Sequence, residues 1–331
     1  MNPHPDQPAA ASRSSEFNLI RRYFSRPALD AVLGAGDDCA LLQAGPGMHL
    51  AVSTDSLVAG VHFFPDADPV SLGWKSLAVN LSDLAAMGAT PRWATLAITL
   101  PDIDDEWLAA YADGLYRCAA QHEISLVGGD TTRGALSMTL TVMGEVPAGE
   151  ALRRDGARAG DTVWVSGTLG DAAFALAAIQ GQLNLGEDDF AALGARLHAP
   201  EPRVALGLAL RRIASSAIDI SDGLLADLGH ILERSQVGAE LDYTRLPVSD
   251  LVNDLAAHPA FDRCVLAGGD DYELCFTASA DSSDTILAIG AELNLRLTPI
   301  GLISAVPGLR LLDAEGQPVT LDTAGYDHFA S

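Results

Sequence analysis

Residues 53–91 read STDSLVAGVHFFPDADPVSLGWKSLAVNLSDLAAMGATP, and this stretch decides the fold. The apolar run from Met48 to Val52 that precedes it predicts a strand ending near Asp55, where a loop opens and binding groups commonly collect. Asp68 and Pro69 are typical of a helix N-cap and first helical position, and leucines at helical spacing follow until a glycine ends the pattern. We therefore expect a strand, a loop and a long apolar helix.

Asp83 lies on this predicted helix among apolar neighbours. Burying an unpaired carboxylate is costly, so Asp83 must be paired, hydrogen-bonded or bound to a metal unless it lies at the helix rim. Lys75, eight positions earlier, is the only lysine of the chain and is a candidate cation for that carboxylate. The composition otherwise favours arginine.

The length of 331 residues predicts two domains, since a typical domain has about 100–200 residues. Residues 1–15 are rich in Pro, Ala and Ser and predict a disordered tail. The pattern of strands and helices restarts near residue 151, which gives expected domains of 16–150 and 151–331. A hydrophobic content of 48% is ample for two cores.

The charge balance excludes some partners. With 44 acidic and 20 basic residues, the formal net charge is −24, which repels nucleic acid and attracts divalent cations. Residues 1–15 lack the apolar core of a signal peptide, and no apolar run reaches membrane length, so we expect no membrane partner. The four cysteines show no C-x-x-C spacing, which fits a reducing cytoplasm.

Strand and helix patterns alternate along the chain and predict an α/β fold whose sheets are mixed, as in α+β proteins. Helices are predicted at 16–24, 104–122, 200–215 and 283–294, and after the strand at 162–166. Strands are predicted at 32–42 (interrupted by a glycine turn), 92–100, 124–127, 136–146, 162–166, 217–224 (a short strand whose last residues cap the next helix), 274–277 and before residue 303, with a hairpin at 315–316.

Carboxylates recur at the predicted strand ends and turns: Asp37, Asp38, Asp55, Asp83, Asp130, Asp219, Asp222, Asp270 and Asp271. Each aspartate beside a glycine is, taken alone, typical of a turn. If the strand ends converge, however, so many carboxylates need cations, and Mg²⁺ is the ion that prefers oxygen ligands. No P-loop, early G-x-G-x-x-G, H-E-x-x-H or G-x-S-x-G motif is present.

Seven motifs occur in order between residues 16 and 329: GDDCA (36–40), STD (53–55), GVHF (60–63), NLSDLAAMG (80–88), GGDTT (128–132), DISDG (219–223) and GDDYEL (269–274). Together they resemble the bacterial thiamine-monophosphate kinases. Single motifs are shared with aminoimidazole ribonucleotide synthetase, selenophosphate synthetase and hydrogenase maturation proteins. The GVHF segment and the tail YDHF (326–329) favour the kinases.

The resemblance implies a two-domain aminoimidazole ribonucleotide synthetase-like fold. It implies that residues 16–150 bind metal and ATP and form a β-barrel shared between the subunits of a homodimer, and that residues 151–331 are an α/β domain. The implied reaction transfers the γ-phosphoryl group of ATP to thiamine monophosphate, which gives thiamine diphosphate and ADP.

The resemblance also assigns residues. Several Mg²⁺ ions would be held by Asp38, Ser53, Thr54, Asp55, Asp83, Asp130, Asp219 and Asp222. ATP would contact Gly129, Asp130, Arg154 and Ser221. The acceptor would contact His62, Asp270 and Thr323. Asp270 stands where relatives often carry Glu, and Thr323 stands where they often carry an aromatic residue.

Elementary chemistry is consistent with this reaction. The second pKa of a phosphate monoester is about 6, so the acceptor oxygen is already anionic near neutral pH and no general base is required. Two further hypotheses remain. One is another ATP-using member of the superfamily, for example with selenide as acceptor, although residues 1–30 contain no cysteine for such chemistry. The other is a non-catalytic acidic protein that binds metal.

Overall fold

The computed structural model describes residues 16–28, 30–35 and 38–319. Its helices are α1 (Glu16–Leu19, continued by a π-helix at Ile20–Phe24), α2 (Pro69–Ala86), α3 (Asp105–Gln121), α4 (Asp171–Ile179), α5 (Glu187–His198), α6 (Val204–Ala209), α7 (Leu224–Ser235), α8 (Asp250–Asp254), α9 (Phe261–Leu266) and α10 (Ser283–Glu292). Its strands are β1 (Met48–Val58), β2 (Thr90–Leu100), β3 (Ser125–Arg133), β4 (Ser137–Pro147), β5 (Thr162–Ser166), β6 (Ala214–Asp219), β7 (Gly238–Asp242), β8 (Leu274–Ala278), β9 (Leu297–Ser304) and β10 (Gly308–Leu312).

The amino-terminal half forms a four-stranded sheet in the order β1-β4-β2-β3. The β1–β4 and β2–β4 pairs are antiparallel and the β2–β3 pair is parallel. The strand predicted at 136–146 is confirmed as β4, and its alternate residues Met138, Leu140 and Val142 are fully buried on one face. Helix α2 packs against this sheet and against α3.

The carboxyl-terminal half forms a six-stranded sheet in the order β10-β7-β9-β5-β8-β6. Strands β7 and β10 are parallel, and the other pairs are antiparallel. The chain is thus an α/β protein with two mixed sheets, as predicted. Within the described ranges, no helix combines the length and the apolar content that crossing a membrane requires.

The central prediction is confirmed for the helix and wrong for the end of the strand. The Asp68 carboxylate caps α2 by accepting a 2.8 Å hydrogen bond from the Ser71 amide. Strand β1, however, continues past Asp55 to Val58, because β4 pairs with it along its whole length. Asp55 therefore lies within a strand, and the backbone of β1 at this position pairs with β4.

Some predictions for other elements are also wrong. The apolar stretch 200–215 forms only the short helix α6, since Arg212 adopts a left-handed φ of 64° and β6 begins at Ala214. Strand β3 runs on from the predicted 124–127 through two glycines to Arg133. Of the stretch 32–42, the described residues form one bridge between Leu33 and Leu41. Helix α5 and strand β7 had not been predicted.

Helix α2 joins the two halves. Besides the amino-terminal sheet it contacts α5, α6 and β6 of the carboxyl-terminal half. One hydrophobic core contains Leu81 and Leu84 of α2 together with Leu206 and Phe276. A Cβ atom on Gly207 of α6 would lie only 2.0 Å from the Ala85 carbonyl oxygen, so this contact requires glycine. The two halves therefore meet along α2 with backbone nearly touching backbone.

Candidate active site between the two sheets

The first side of the site forms where β1 packs on α2. Ser53 and Asp55 lie two residues apart and share the half-buried face of β1. The Ser53 hydroxyl donates a 2.5 Å hydrogen bond to Oδ2 of Asp83, and the Asp55 amide donates to Oδ1 of Asn80 at 3.1 Å. Asp83, which the sequence predicted to need a partner, is therefore hydrogen-bonded to the strand.

Asp55 and Asp83 lie in surroundings that disfavour their charged forms. Burial raises the pKa of Asp55 to about 6, and the negative charges of Asp83 and Asp222 add to this effect. Burial also raises the pKa of Asp83, although the Ser53 hydrogen bond and the positive charge of Arg154 oppose the shift. The cation that acts on Asp83 is thus Arg154, and the prediction that Lys75 would serve it is wrong.

The second side of the site comes from the end of β6. Asp219 is the last residue of that strand and is only 5% exposed. Burial raises its pKa to about 7, and the negative charge of Asp83 raises it further. Because Asp83 lies on α2 and Asp219 on β6, the carboxylates of the two halves interact directly. Of the carboxylates expected at converging strand ends, Asp219 alone is the last residue of a strand here, since Asp55 lies within β1 and Asp83 within α2.

The loop that follows β6 is organised by Asp227, which the sequence analysis did not single out. Oδ2 of Asp227 accepts hydrogen bonds from the Ser221 and Asp222 amides, both at 3.0 Å. Burial raises the pKa of Asp227 to about 6. The N-cap of α7 is Gly223, which has no side-chain cap, so the predicted capping of this helix by the preceding residues is wrong. The signal in the sequence was an acidic residue in the first turn of α7, from where its carboxylate can accept hydrogen bonds from the amides that precede the helix.

Gly129 and Asp130 lie within β3, at the other edge of the amino-terminal sheet from β1. A Cβ atom on Gly129 would lie 1.8 Å from the Leu96 carbonyl oxygen, so a side chain cannot be accommodated there. Asp130 and Arg154 have exposed side chains. The charge of Arg154 nevertheless acts on both Asp83 and Asp227, which puts it beside the carboxylates.

The remaining predicted residues are placed differently. Thr54 faces away from Ser53 and Asp55, and its hydroxyl lies 2.8 Å from that of Thr141. Asp38 is exposed and follows residues 36–37, which lie outside the described part of the chain. Asp37 and Thr323 belong to the residues that the structure does not describe.

The two predicted acceptor residues that are described belong to different halves of the chain. His62 follows β1, and its Nδ1 accepts a 3.0 Å hydrogen bond from the Val58 amide. Asp270 lies between α9 and β8, where Oδ2 is 2.9 Å from Nζ of Lys75 and Oδ1 accepts a 2.9 Å hydrogen bond from the Tyr272 hydroxyl. This ion pair spans 195 positions and had no signal in the sequence.

A separate carboxylate network lies inside the carboxyl-terminal half. Glu273 is fully buried and forms ion pairs with Arg196 and Arg203, and it accepts a 2.6 Å hydrogen bond from Ser166. Glu273 and the two arginines border a cavity of about 340 Å³. Asp271 is buried nearby and accepts a 2.9 Å hydrogen bond from the Gly170 amide. It therefore does not join the carboxylates between the sheets.

The carboxylates between the sheets have the donor chemistry of a site for a hard cation. Raised pKa values for Asp55, Asp83 and Asp219 mean that protons or other cations are needed to neutralise them. Among the described residues, no three His, Cys, Asp or Glu side chains are close enough together to hold an ion unaided. Oxygen ligands from another molecule would thus have to complete such a site.

Comparison with known proteins defines the class of this chain first. The model of the AIR synthase related protein, N-terminal domain, matches residues 36–146, and that of the C-terminal domain matches residues 158–313. Together they cover most of the described residues and both sheets. The fold is therefore that of a two-domain AIR synthase related protein.

Individual relatives narrow this class. The thiamine-monophosphate kinase of Salmonella typhimurium is 50% identical over 96% of this chain and 98% of its own length. The crystal structure of the Stenotrophomonas maltophilia K279a kinase is 48% identical, with a TM-score of 0.83 over 93% of this chain and 98% of that one. AaThiL complexed with AMPPCP and TMP is 30% identical, with a TM-score of 0.76 over 87% and 89%. The chain belongs to the thiamine-monophosphate kinase family.

Proposed function

We propose that this chain transfers the γ-phosphoryl group of ATP to thiamine monophosphate and releases thiamine diphosphate and ADP. The observation that carries the proposal is the meeting of carboxylates from both halves between the sheets, in a chain 50% identical to a thiamine-monophosphate kinase over nearly its full length. A relative 30% identical is described with AMPPCP and TMP bound, which supports ATP and thiamine monophosphate as the substrates.

The acceptor supplies its own nucleophile. Its phosphate monoester has a second pKa of about 6, so an anionic oxygen is available near neutral pH without a general base. The task left to the protein is to bring two anions together in line and to neutralise their charge. Ser53 and Asp227 serve that task by fixing the Asp83 carboxylate and the loop amides of Ser221 and Asp222.

We propose that bound Mg²⁺ neutralises the phosphates. The residues that would hold the ions are Asp38, Ser53, Asp55, Asp83, Asp130, Asp219 and Asp222, whereas the Thr54 hydroxyl faces Thr141 on the other side of β1. When bound, such ions would stabilise the charge of the transferred group. In P-loop kinases, a lysine of the loop shares this task with the metal ion. The raised pKa values of Asp55, Asp83 and Asp219 support this proposal, since a divalent ion can replace the protons these groups would otherwise retain.

We propose the remaining roles by position. Gly129, Asp130, Arg154 and Ser221 bind ATP, and the charge of Arg154 beside Asp83 supports this role. His62, Asp270 and Thr323 bind the acceptor. The amino-terminal domain covers residues 16–150 and the carboxyl-terminal domain 151–331; the interval between β4, which ends at Pro147, and β5, which begins at Thr162, supports this boundary.

We further propose a homodimer in which the amino-terminal sheets of two subunits form a shared β-barrel. Strand β1 lies at the edge of its sheet, and Met48, Leu50 and Val52 share its outward face with 38%, 47% and 57% of their surface exposed. Such a grouped apolar surface is typical of an interface. Sedimentation velocity on the purified protein would test the dimer. The free cysteines, three of them buried, support a reducing cytoplasm as the location.

The test of the reaction is ADP release from Mg-ATP by the purified protein with thiamine monophosphate, with free thiamine, or with neither. We expect release that requires the monophosphate, with thiamine diphosphate as the product. Equal release with and without the acceptor would contradict the proposed reaction. So would an absence of release from folded protein that binds ATP.

A further inference from the structure

The only lysine of the chain is buried at the junction of the two halves. Lys75 lies on α2, and its side chain is 6% exposed. Its ammonium group lies 2.9 Å from Oδ2 of Asp270 and donates a 3.0 Å hydrogen bond to the Leu197 carbonyl oxygen. A lysine is rarely so buried unless a charged partner compensates it. Both partners belong to the carboxyl-terminal half, so the side chain bridges the domains.

Both carboxylate oxygens of Asp270 have a hydrogen-bond partner. Lys75 contacts one carboxylate oxygen, and the Tyr272 hydroxyl donates to the other at 2.9 Å. The side chain of Asp270 nevertheless remains 31% exposed, so part of the carboxylate stays accessible. The two donors come from different domains, which fixes the orientation of this carboxylate relative to both.

The backbone around Asp270 is also constrained. Asp270 and Tyr272 adopt left-handed φ values of 67° and 49°, which residues other than glycine rarely adopt. The Asp270 amide donates to the Ser221 carbonyl oxygen at 3.0 Å, and the Tyr272 amide donates to that of Ile220 at 2.8 Å. The acceptor residue Asp270 is thus joined by its backbone to the loop that carries Ser221.

We infer that Lys75 is a positioning residue for the acceptor: it holds the Asp270 carboxylate where thiamine monophosphate is recognised. This inference rests on the proposed function, in which Asp270 contacts the acceptor. Within the described part of the chain, the Lys75 ammonium donates to Asp270 and to Leu197 and makes no hydrogen bond to the proposed nucleotide residues, so it acts through Asp270. Its loss therefore weakens acceptor binding and leaves ATP binding unchanged.

Steady-state kinetics of Lys75→Met test this separation. We expect the KM for thiamine monophosphate to rise at least about tenfold, the effect of losing one charge-assisted hydrogen bond, and the KM for ATP to stay within about twofold. Lys75→Arg, which keeps a cationic donor, should recover part of the loss. Arg117→Met is the matched control, since it removes a cation whose side chain is 66% exposed on α3. Equal rises in both KM values would overturn the inference.

A double-mutant cycle identifies the residue through which Lys75 acts. If Lys75 works only by orienting Asp270, the acceptor KM of Lys75→Met combined with Asp270→Asn should equal that of Asp270→Asn alone. The double variant also removes both charges of the pair, so it avoids leaving one of them buried without a partner. Effects that multiply independently would overturn the inference.

The single lysine allows a measurement that does not depend on turnover. In protein labelled with [¹⁵N]lysine, one ammonium resonance is expected, and it needs no assignment because Lys75 is the only lysine. It should shift in Asp270→Asn and on adding thiamine monophosphate, and stay in place on adding AMPPCP. A resonance unaffected by Asp270→Asn would overturn the pairing, even if Lys75→Met failed to fold. Lack of acceptor-dependent ADP release by the wild type would instead contradict the proposed reaction.

Discussion

Asp219 and Glu273 are both buried carboxylates of the carboxyl-terminal half, yet their pKa values shift in opposite directions. Burial raises the pKa of Asp219 to about 7, and the negative charge of Asp83 adds to the shift. Burial acts on Glu273 in the same sense, but the hydrogen bonds and positive charges of Arg203 and Arg196 outweigh it and lower the pKa. The chain thus provides cations for the structural carboxylate and leaves the carboxylates between the sheets short of positive charge.

The strongest test of this contrast removes one charge from the site between the sheets. Asp55→Asn and Asp83→Asn keep the side-chain volume, and we expect each to lower kcat by about 1,000-fold or more, as loss of a charge-stabilising group does. Without metal, neither should lower the melting temperature, because repulsion between Asp55 and Asp83 is relieved. Activity assays and thermal melts check both results, and full activity in both variants would contradict the metal-ion proposal.

The converse test removes a cation from the compensated network. Arg203→Met leaves the buried Glu273 with Arg196 as its remaining ion-pair partner, and we expect a loss of about 3–5 kcal/mol in the free energy of unfolding. Urea unfolding measures it. The control is Arg310→Met, which removes a half-exposed pair with Glu240 worth at most about 1 kcal/mol. Equal losses in the two variants would show that the Glu273 network is not special.

Added cations should sharpen the contrast. At 100 times its dissociation constant, Mg²⁺ should stabilise the folded wild-type protein by about 2.7 kcal/mol, because it binds the folded state alone. Asp83→Asn should show a smaller gain in melting temperature, whereas Asp254→Asn, which alters an exposed carboxylate on α8, should respond like the wild type. An undiminished response in Asp83→Asn would place the ion elsewhere.

The smallest expected effect concerns Asp271, whose pKa burial raises well above its ordinary value. The folded state keeps this proton while the unfolded state releases it above about pH 4, so wild-type stability is lost as pH rises. Asp271→Asn cannot titrate. Between pH 5 and 6 its free energy of unfolding should therefore gain up to about 1.4 kcal/mol relative to the wild type. Urea unfolding at both pH values measures this, and parallel changes would contradict the assignment.

What the sequence predicted correctly depends on neighbours in the chain. Helix α2 has its cap, its apolar spacing and its terminating glycine within about twenty residues, so the environment of Asp83 followed from local rules. The length of β1 depends on pairing with β4, some eighty residues away, and that is why Asp55 was wrongly placed at a strand end. The apolar run 200–215 resembled a helix, but the left-handed φ of Arg212 and the start of β6 at Ala214 limit α6.

The site divides in the same way. The motifs contain Asp55, Asp83 and Asp219, which lie between the sheets, although only Asp219 is at the end of its element. The partners of those residues were not predictable: Lys75 finds Asp270 across 195 positions, and Arg154 acts on Asp83 from the other domain. Such pairs arise only when the two halves dock, and no local spacing encodes them.

The contact of Gly207 with Ala85 has a consequence for how sequence variants of this enzyme are interpreted. At this point the domains are separated by no side chain at all, since a single Cβ atom would lie 2.0 Å from a backbone oxygen. The methyl group of Gly207→Ala would force the two domains apart, which would move Asp219 away from Asp83 while each sheet stays folded. In a genetic screen, changes at this helix crossing would be scored as catalytic defects, although they lie on no strand or loop that holds substrate.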